Sequence, residues 1–190
     1  MRKLLILSRG KIKMEQLINN IEQWSTERGL HEGSPIRQFD KLVEEFGELV
    51  KGQNKQDKEM IKDSVGDMFI VLTIMVQQIK KIMKIEDSDP LMQSAVIFSY
   101  ILRDVELSTV DYILTLGELG DKLLVFTEER TDLVSLSYIL TKITDLIALL
   151  DVTAHFNNTD IKTCVQQAYD EIKNRKGKII DGKFIKEADL

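Results

Sequence analysis

The run Glu59-Met-Ile-Lys-Asp-Ser-Val-Gly-Asp-Met-Phe-Ile-Val-Leu-Thr-Ile-Met-Val-Gln-Gln-Ile-Lys-Lys-Ile-Met-Lys84 decides the fold class. It contains no proline and one glycine, Gly66. Ile61, Val65, Met68, Phe69, Leu72, Val76, Ile79 and Met83 recur at three- and four-residue steps, so they share one face of a helix. From Met68 to Val76 every residue except Thr73 is apolar, so the middle of this helix is apolar nearly all round. A helix of that kind is buried on most sides. The spacing therefore predicts a long helix over 59–84 at the centre of a helical bundle.

Working outward, the same periodicity continues. Ile12, Leu17, Ile18, Ile21 and Trp24 make a stripe that Gly29 would stop. Ser34-Pro35 opens a second helix, with Ser34 as N-cap and Pro35 at its first position. Its core face is Phe39, Leu42, Val43, Phe46, Leu49 and Val50, and Gly52 is its expected end, followed by a polar loop from Gln53 to Lys58. The segment Glu86 to Pro90 is a break. Further helices are expected near 91–104, 109–128, 131–157 and 160–176. Ile179-Ile180, Asp181-Gly182 and Phe184-Ile185 read as a very short hairpin on an Asp-Gly turn. An internal echo is present. Glu45-Phe-Gly-Glu48 resembles Glu118-Leu-Gly-Asp121, and Ser64-Val-Gly-Asp67 resembles Lys142-Ile-Thr-Asp145, in the same order. Either two helix pairs, 34–84 and 109–157, are pseudo-repeats around a four-helix core, or leucine-rich amphipathic helices simply look alike. The expectation is an all-α helical bundle, one domain over 1–190, with a short C-terminal hairpin.

Composition narrows the functional classes. The chain has 190 residues, one cysteine (Cys164) and two histidines (His31 and His155), which excludes a disulfide framework and a Cys- or His-rich metal site. A formal net charge of −5 argues against non-specific nucleic-acid binding. Leu4 to Leu7 is too short for a signal-peptide core, and the Met68–Val76 run is shorter than the roughly twenty residues of a membrane helix. The expectation is a cytoplasmic protein with no membrane or nucleic-acid partner.

The candidate chemistry lies in Glu45, Glu48, Asp63 and Asp67. Glu45 and Glu48 are three apart and share a helix face; Asp63 and Asp67 are one turn apart on the next helix. Glu44 points roughly 100° away from Glu45 and reads as a supporting residue. Acids on helices are usually solvated surface, but Asp67 directly precedes Met68-Phe-Ile-Val-Leu72. A buried carboxylate is expensive unless paired or bound to metal. Four converging carboxylates without His or Cys suit Mg²⁺ or Mn²⁺, and Mg²⁺ commonly takes its remaining ligands from water and phosphate. The Glu-x-x-His pairs of a di-iron bundle are missing. Gly47 and Gly66 each precede the second acid of a pair, where close helix approach would offset their helix-interior cost of about 1 kcal/mol. Lys173, Arg175, Lys176 and Lys178 form a basic cluster at the end of the last helix, either a phosphate clamp or plain compensation of the helix dipole.

Ile36-Arg-Gln-Phe-Asp-Lys-Leu-Val-Glu-Glu-Phe-Gly-Glu-Leu-Val50, then Lys62-Asp-Ser-Val-Gly-Asp-Met-Phe-Ile-Val-Leu72, resembles the MazG-like proteins of the all-α nucleoside triphosphate pyrophosphohydrolases. Ala168-Tyr-Asp-Glu-Ile-Lys-Asn-Arg-Lys-Gly-Lys178 resembles the end of phage-associated MazG-like proteins. The resemblance implies Mg²⁺-dependent hydrolysis of a nucleoside triphosphate to monophosphate and pyrophosphate. Position by position, Glu45 and Glu48 match the first metal pair and Asp67 closes the second. Ser64 stands where the family pattern has Glu, and Asp63 is the expected substitute. Glu48 is the expected catalytic carboxylate acting on water. Lys173, Arg175 and Lys176 are expected on the phosphates, with Gln38 and Lys41 within reach of the substrate. Trp24 either stacks on the base or anchors the first helix in the core. Lys142, at the position of Ser64 in the echo, would repel a metal and leave Glu118, Asp121 and Asp145 as a dead counterpart. The family pairs helices from two chains, so a homodimer and a self-sufficient monomer both fit. The alternative function is a catalytically silent helical bundle that binds nucleotides or a protein.

Overall fold

The computed structural model describes residues 2–86, 92, 108–128, 132–180 and 183–186. Six helices are described: α1 (Arg2–Glu27), α2 (Pro35–Lys55), α3 (Lys58–Met83), α4 (Thr109–Glu128), α5 (Leu133–Phe156) and α6 (Ile161–Ile172). A 3-10 turn, Leu30–Glu32, joins α1 to α2. Gly29 has φ 70°, the left-handed conformation that ends α1 as its position predicts. The predicted helix near 91–104 lies outside the described residues apart from Met92, which is helical and buried.

The fold is an all-α bundle. α2 packs on α3 and α4 on α5; the two pairs then join, α2 against α4 and α3 against α5. α1 and α6 close over α3 from outside this four-helix core. α3 fills the role its composition predicts: every residue from Met68 to Val76 is buried. The buried side chains of α1 through α6 form one continuous core.

Two boundaries and one cap differ from the sequence expectation. α2 does not end at Gly52 but runs to Lys55, with Gln56 left-handed at φ 54°. Gly52 is buried inside the helix, where a Cβ would stand 3.1 Å from Ile61 and Met60. Its bare backbone lets α3 begin tight against α2, and Asp57 caps α3 by accepting from the Met60 amide at 3.1 Å. Ser34 sits at the N-cap of α2 without a side-chain cap bond. α6 stops at Ile172, short of the expected 176; its end turns through the Arg175 amide, which donates to the Ile172 carbonyl at 2.8 Å. Beyond it, Gly177–Ile180 pairs antiparallel with Lys183–Lys186 in the register Gly177 with Lys186 and Ile180 with Lys183. That is the expected hairpin; its turn, Asp181-Gly182, lies outside the described residues.

The two helical glycines of the acidic pairs separate. A Cβ on Gly66 would meet the Cys164 carbonyl and stand 2.7 Å from the Ala168 Cβ, so α3 and α6 touch backbone to backbone. Gly47 has nothing within 4 Å, so no helix approaches it. α5 is long and apolar enough to cross a membrane by length and composition, which the apolar-run count overlooked because Thr and Asp interrupt it. Its Leu136, Ile139, Ile143, Leu146 and Leu150 are buried in the bundle core.

Candidate functional site

The four predicted carboxylates lie along the junction of α2 and α3. Glu45 is 5% exposed, on the face of α2 that also buries Leu42 and Leu49. Glu48, one turn on, is exposed. Asp63 and Asp67 are half-buried on α3. The close approach of α3 to α2 at Gly52 brings the two pairs into one another's fields.

Their electrostatics are those of a crowded anionic site. Burial, and then the charges of Glu45 and Asp63, push the Asp67 carboxyl up to about 7. Arg175 and Lys41 only partly offset this. Asp63 is also raised, by burial first and then by Glu171 and Glu48. Its Oδ1 is buried without a hydrogen-bond partner. Glu45 is raised because burial outweighs its ion pair with Lys41. Lys41 reaches Glu45 at 2.5 Å and Glu44 at 3.0 Å. Burial would lower Lys41, but these bonds win and its proton is held more tightly.

The second helix pair shows what such a junction accepts. Lys142 of α5 lies 2.8 Å from Glu118 and 3.0 Å from Asp145. By the internal echo these three residues stand at the positions of Ser64, Glu45 and Asp67. In α4–α5 an ammonium thus sits between the two acids. In α2–α3 the corresponding residue is Ser64, which is 1% exposed and donates to the Met60 carbonyl at 2.8 Å. The acids there have no bridging cation from α3, and Lys41 serves only the α2 side.

As a donor set, four carboxylates, of which Glu45, Asp63 and Asp67 have raised proton affinity, and one orphaned buried oxygen, Asp63 Oδ1, match a hard divalent ion in chemistry. As placed, no three His, Cys, Asp or Glu side chains among the described residues stand close enough to hold an ion together. Loading would need Glu45 to exchange Lys41 for the metal and Glu48 to swing in from solvent.

The substrate candidates divide. Lys41 is at the site. Gln38 lies one to two turns from Glu45 and donates to the Val71 carbonyl at 3.4 Å, so it ties α2 to α3. Trp24 is not placed for stacking on a base. It is 8% exposed, and its indole N–H donates to the Ile172 carbonyl at 3.0 Å. The core-anchor alternative is the one the structure bears out. Among the basic residues, Arg175 comes near enough to act on both Asp63 and Asp67. Lys173 turns to Asp170 at 2.7 Å, and Lys176 is exposed.

Two residues were missed. Arg28 follows Trp24 by one turn, stacks over its ring at 4.8 Å, and donates to the carbonyls of Lys173 and Arg175. Glu171 precedes Arg175 by one turn, 3.8 Å from its guanidinium, and raises Asp63. The i,i+4 spacings Trp24–Arg28 and Glu171–Arg175 were the available signals. A groove of about 420 Å³ on α5, lined by Leu133, Leu136, Leu140, Thr141 and Thr144, lies apart from these carboxylates.

The chain is 53% identical over 66 residues to an uncharacterized 18.2 kDa protein in the rep-hol intergenic region of Haemophilus phage HP1 (strain HP1c1). The match covers 34% of this chain and 40% of that protein, so the chain spans well under half of the relative's length. No protein-family model matches, and no solved structure does.

Proposed function

We propose that the protein is a Mg²⁺-dependent nucleoside triphosphate pyrophosphohydrolase, releasing pyrophosphate and a nucleoside monophosphate. One observation carries the reading. The α4–α5 junction neutralises its facing acids with the Lys142 ammonium, whereas the α2–α3 junction keeps the acids and has Ser64 instead. That leaves a cation position to be filled from solution.

Glu45, Glu48, Asp63 and Asp67 would hold the ion, Mg²⁺ or Mn²⁺. When bound, the ion neutralises phosphate oxygens and polarises the phosphoryl group under attack. The chain does the rest. Asp67 must give up its proton before the site is fully anionic. Glu48, the most solvent-exposed of the four, would orient and deprotonate the attacking water. Arg175 stands at the α3 side of the acids, where a guanidinium can bind phosphate through paired N–H donors. Lys41, displaced from Glu45, becomes available to a second phosphate, and exposed Lys176 can join it. We further propose a cytoplasmic setting and a homodimer. Val110, Ile113, Leu114, Leu124 and Val125 lie exposed along one face of α4, an apolar strip of the kind a second copy would cover.

The test is pyrophosphate release from canonical and modified ribo- and deoxyribonucleoside triphosphates, with Mg²⁺ and then Mn²⁺, beside an Asp67→Ala control. Release that vanishes in the control supports the reading. No release across the panel overturns it in favour of a catalytically silent nucleotide- or protein-binding bundle. Ser64 favours that second reading, since its hydroxyl is spent on the Met60 carbonyl and supplies no ligand.

A further inference from the structure

We infer that Arg28 of α1 is a positioning residue that holds Arg175 over the acidic site as the anchor of a polyphosphate-binding arm. The inference rests on the reading above for its choice of ligand, but its geometry is independent. α6 ends at Ile172, and the carbonyls at and just beyond its end lie where the helix supplies few amide partners. Side chains of α1 add partners there. Trp24 Nε1 donates to the Ile172 carbonyl at 3.0 Å. Arg28 Nη2 donates to the Lys173 carbonyl at 3.3 Å. Arg28 Nε and Nη2 both donate to the Arg175 carbonyl, at 3.2 and 2.9 Å. The guanidinium lies over the Trp24 ring, which fixes its plane.

This is more than a helix cap. Arg175 lies three residues past the helix end, where its amide turns back to the Ile172 carbonyl at 2.8 Å and Arg28 ties its carbonyl to α1. Two guanidinium N–H groups on one carbonyl fix that residue's direction. The Arg175 guanidinium lies 3.8 Å from Glu171 and near enough for its charge to act on Asp63 and Asp67 of α3. Gly66 brings α6 against α3 at closest range, so the arm and the carboxylates share one rigid contact. The Arg175 guanidinium is thereby presented to a polyanion beside Asp63 and Asp67. Pre-positioning of this kind improves binding because less ordering remains to be done on contact.

Trp24 is the chain's single tryptophan, so its emission reports on this clamp. The experiment titrates the full-length protein with inorganic tripolyphosphate in Mg²⁺, following Trp24 emission. It compares wild type with Arg28→Gln, Arg28→Lys, Arg175→Gln and the Arg28→Gln/Arg175→Gln pair, and records Tm for each. Wild type should bind with a change in emission. Arg28→Gln should weaken binding about tenfold, the size of one charge-assisted contact. Arg28→Lys should recover part of it, and the double variant should be no worse than Arg175→Gln alone. With the best nucleotide substrate, KM should rise more than kcat falls.

An Arg28→Gln variant with lower Tm but unchanged tripolyphosphate affinity would make Arg28 a cap alone and overturn the inference. Additive losses in the double variant, or no binding by wild type, would overturn it too. Binding without pyrophosphate release would leave the inference standing and remove the hydrolase. Release with an unchanged KM in Arg28→Gln would do the reverse.

Discussion

Asp67 is the residue on which charge and burial conflict most. Its carboxyl titrates near 7 rather than the ordinary 3.8, because burial and the neighbouring Glu45 and Asp63 charges disfavour ionisation. The folded chain therefore holds a proton there that the unfolded chain has released. A raised carboxyl contributes stability in full below about pH 4, and that contribution is lost as pH rises through about 7. In metal-free buffer, Tm should fall between pH 5 and pH 8, and Asp67→Asn should flatten the fall; a variant as steep as wild type would place the titration elsewhere. Added Mg²⁺ should reverse the trend, since the ion competes with the proton. The gain in Tm on saturating Mg²⁺ should be larger at pH 8 than at pH 6, and absent in Asp67→Asn. Asp67 was legible in the sequence because a lone acid opens an apolar run. Arg28 was legible only in its spacing from Trp24; its carbonyl partners lie some 145 residues away, and no local pattern encodes them.

The helices separate two uses of glycine that look alike in the chain. Gly66 lets α6 lie on α3, and its added methyl would press on the Cys164 carbonyl and the Ala168 Cβ, neither of which is a flexible side-chain end. Gly66→Ala should cost about 1–3 kcal/mol, as other insertions into packed contacts do, and urea unfolding measures it. Gly47 meets nothing, so Gly47→Ala should stabilise by up to about 1 kcal/mol through helix propensity. Equal losses at both positions would contradict this assignment. The periodicity of α1 to α6 was readable because each carries a continuous apolar stripe. The end of α2 was misread because a glycine near a helix end looks like a stop. Only the approach of Ile61 and Met60 shows that Gly52 is buried packing.

For the molecule as a whole, α4 carries the exposed apolar face. Its inward side buries Tyr112, Leu116, Leu119, Leu123 and Phe126, while Val110, Ile113, Leu114, Leu124 and Val125 face outward. Sedimentation should find a dimer that Leu114→Glu converts to monomer with the helical signal intact; a monomeric wild type would remove the homodimer. The two-pair layout was visible in the chain as an echo of acids and glycines. What the echo could not show was that Lys142 would lie between Glu118 and Asp145 rather than merely near them. That arrangement has a consequence for how the protein meets its surroundings. A counter-ion carried on a side chain is present at an effective concentration fixed by its tether and not by the medium. Chelators, dilution and swings in free magnesium leave Lys142 between the acids of the α4–α5 junction, whereas on the proposed reading the α2–α3 junction would follow the ionic supply. One half of the chain would then be a constant frame, against which the other half registers how much divalent ion the solution holds.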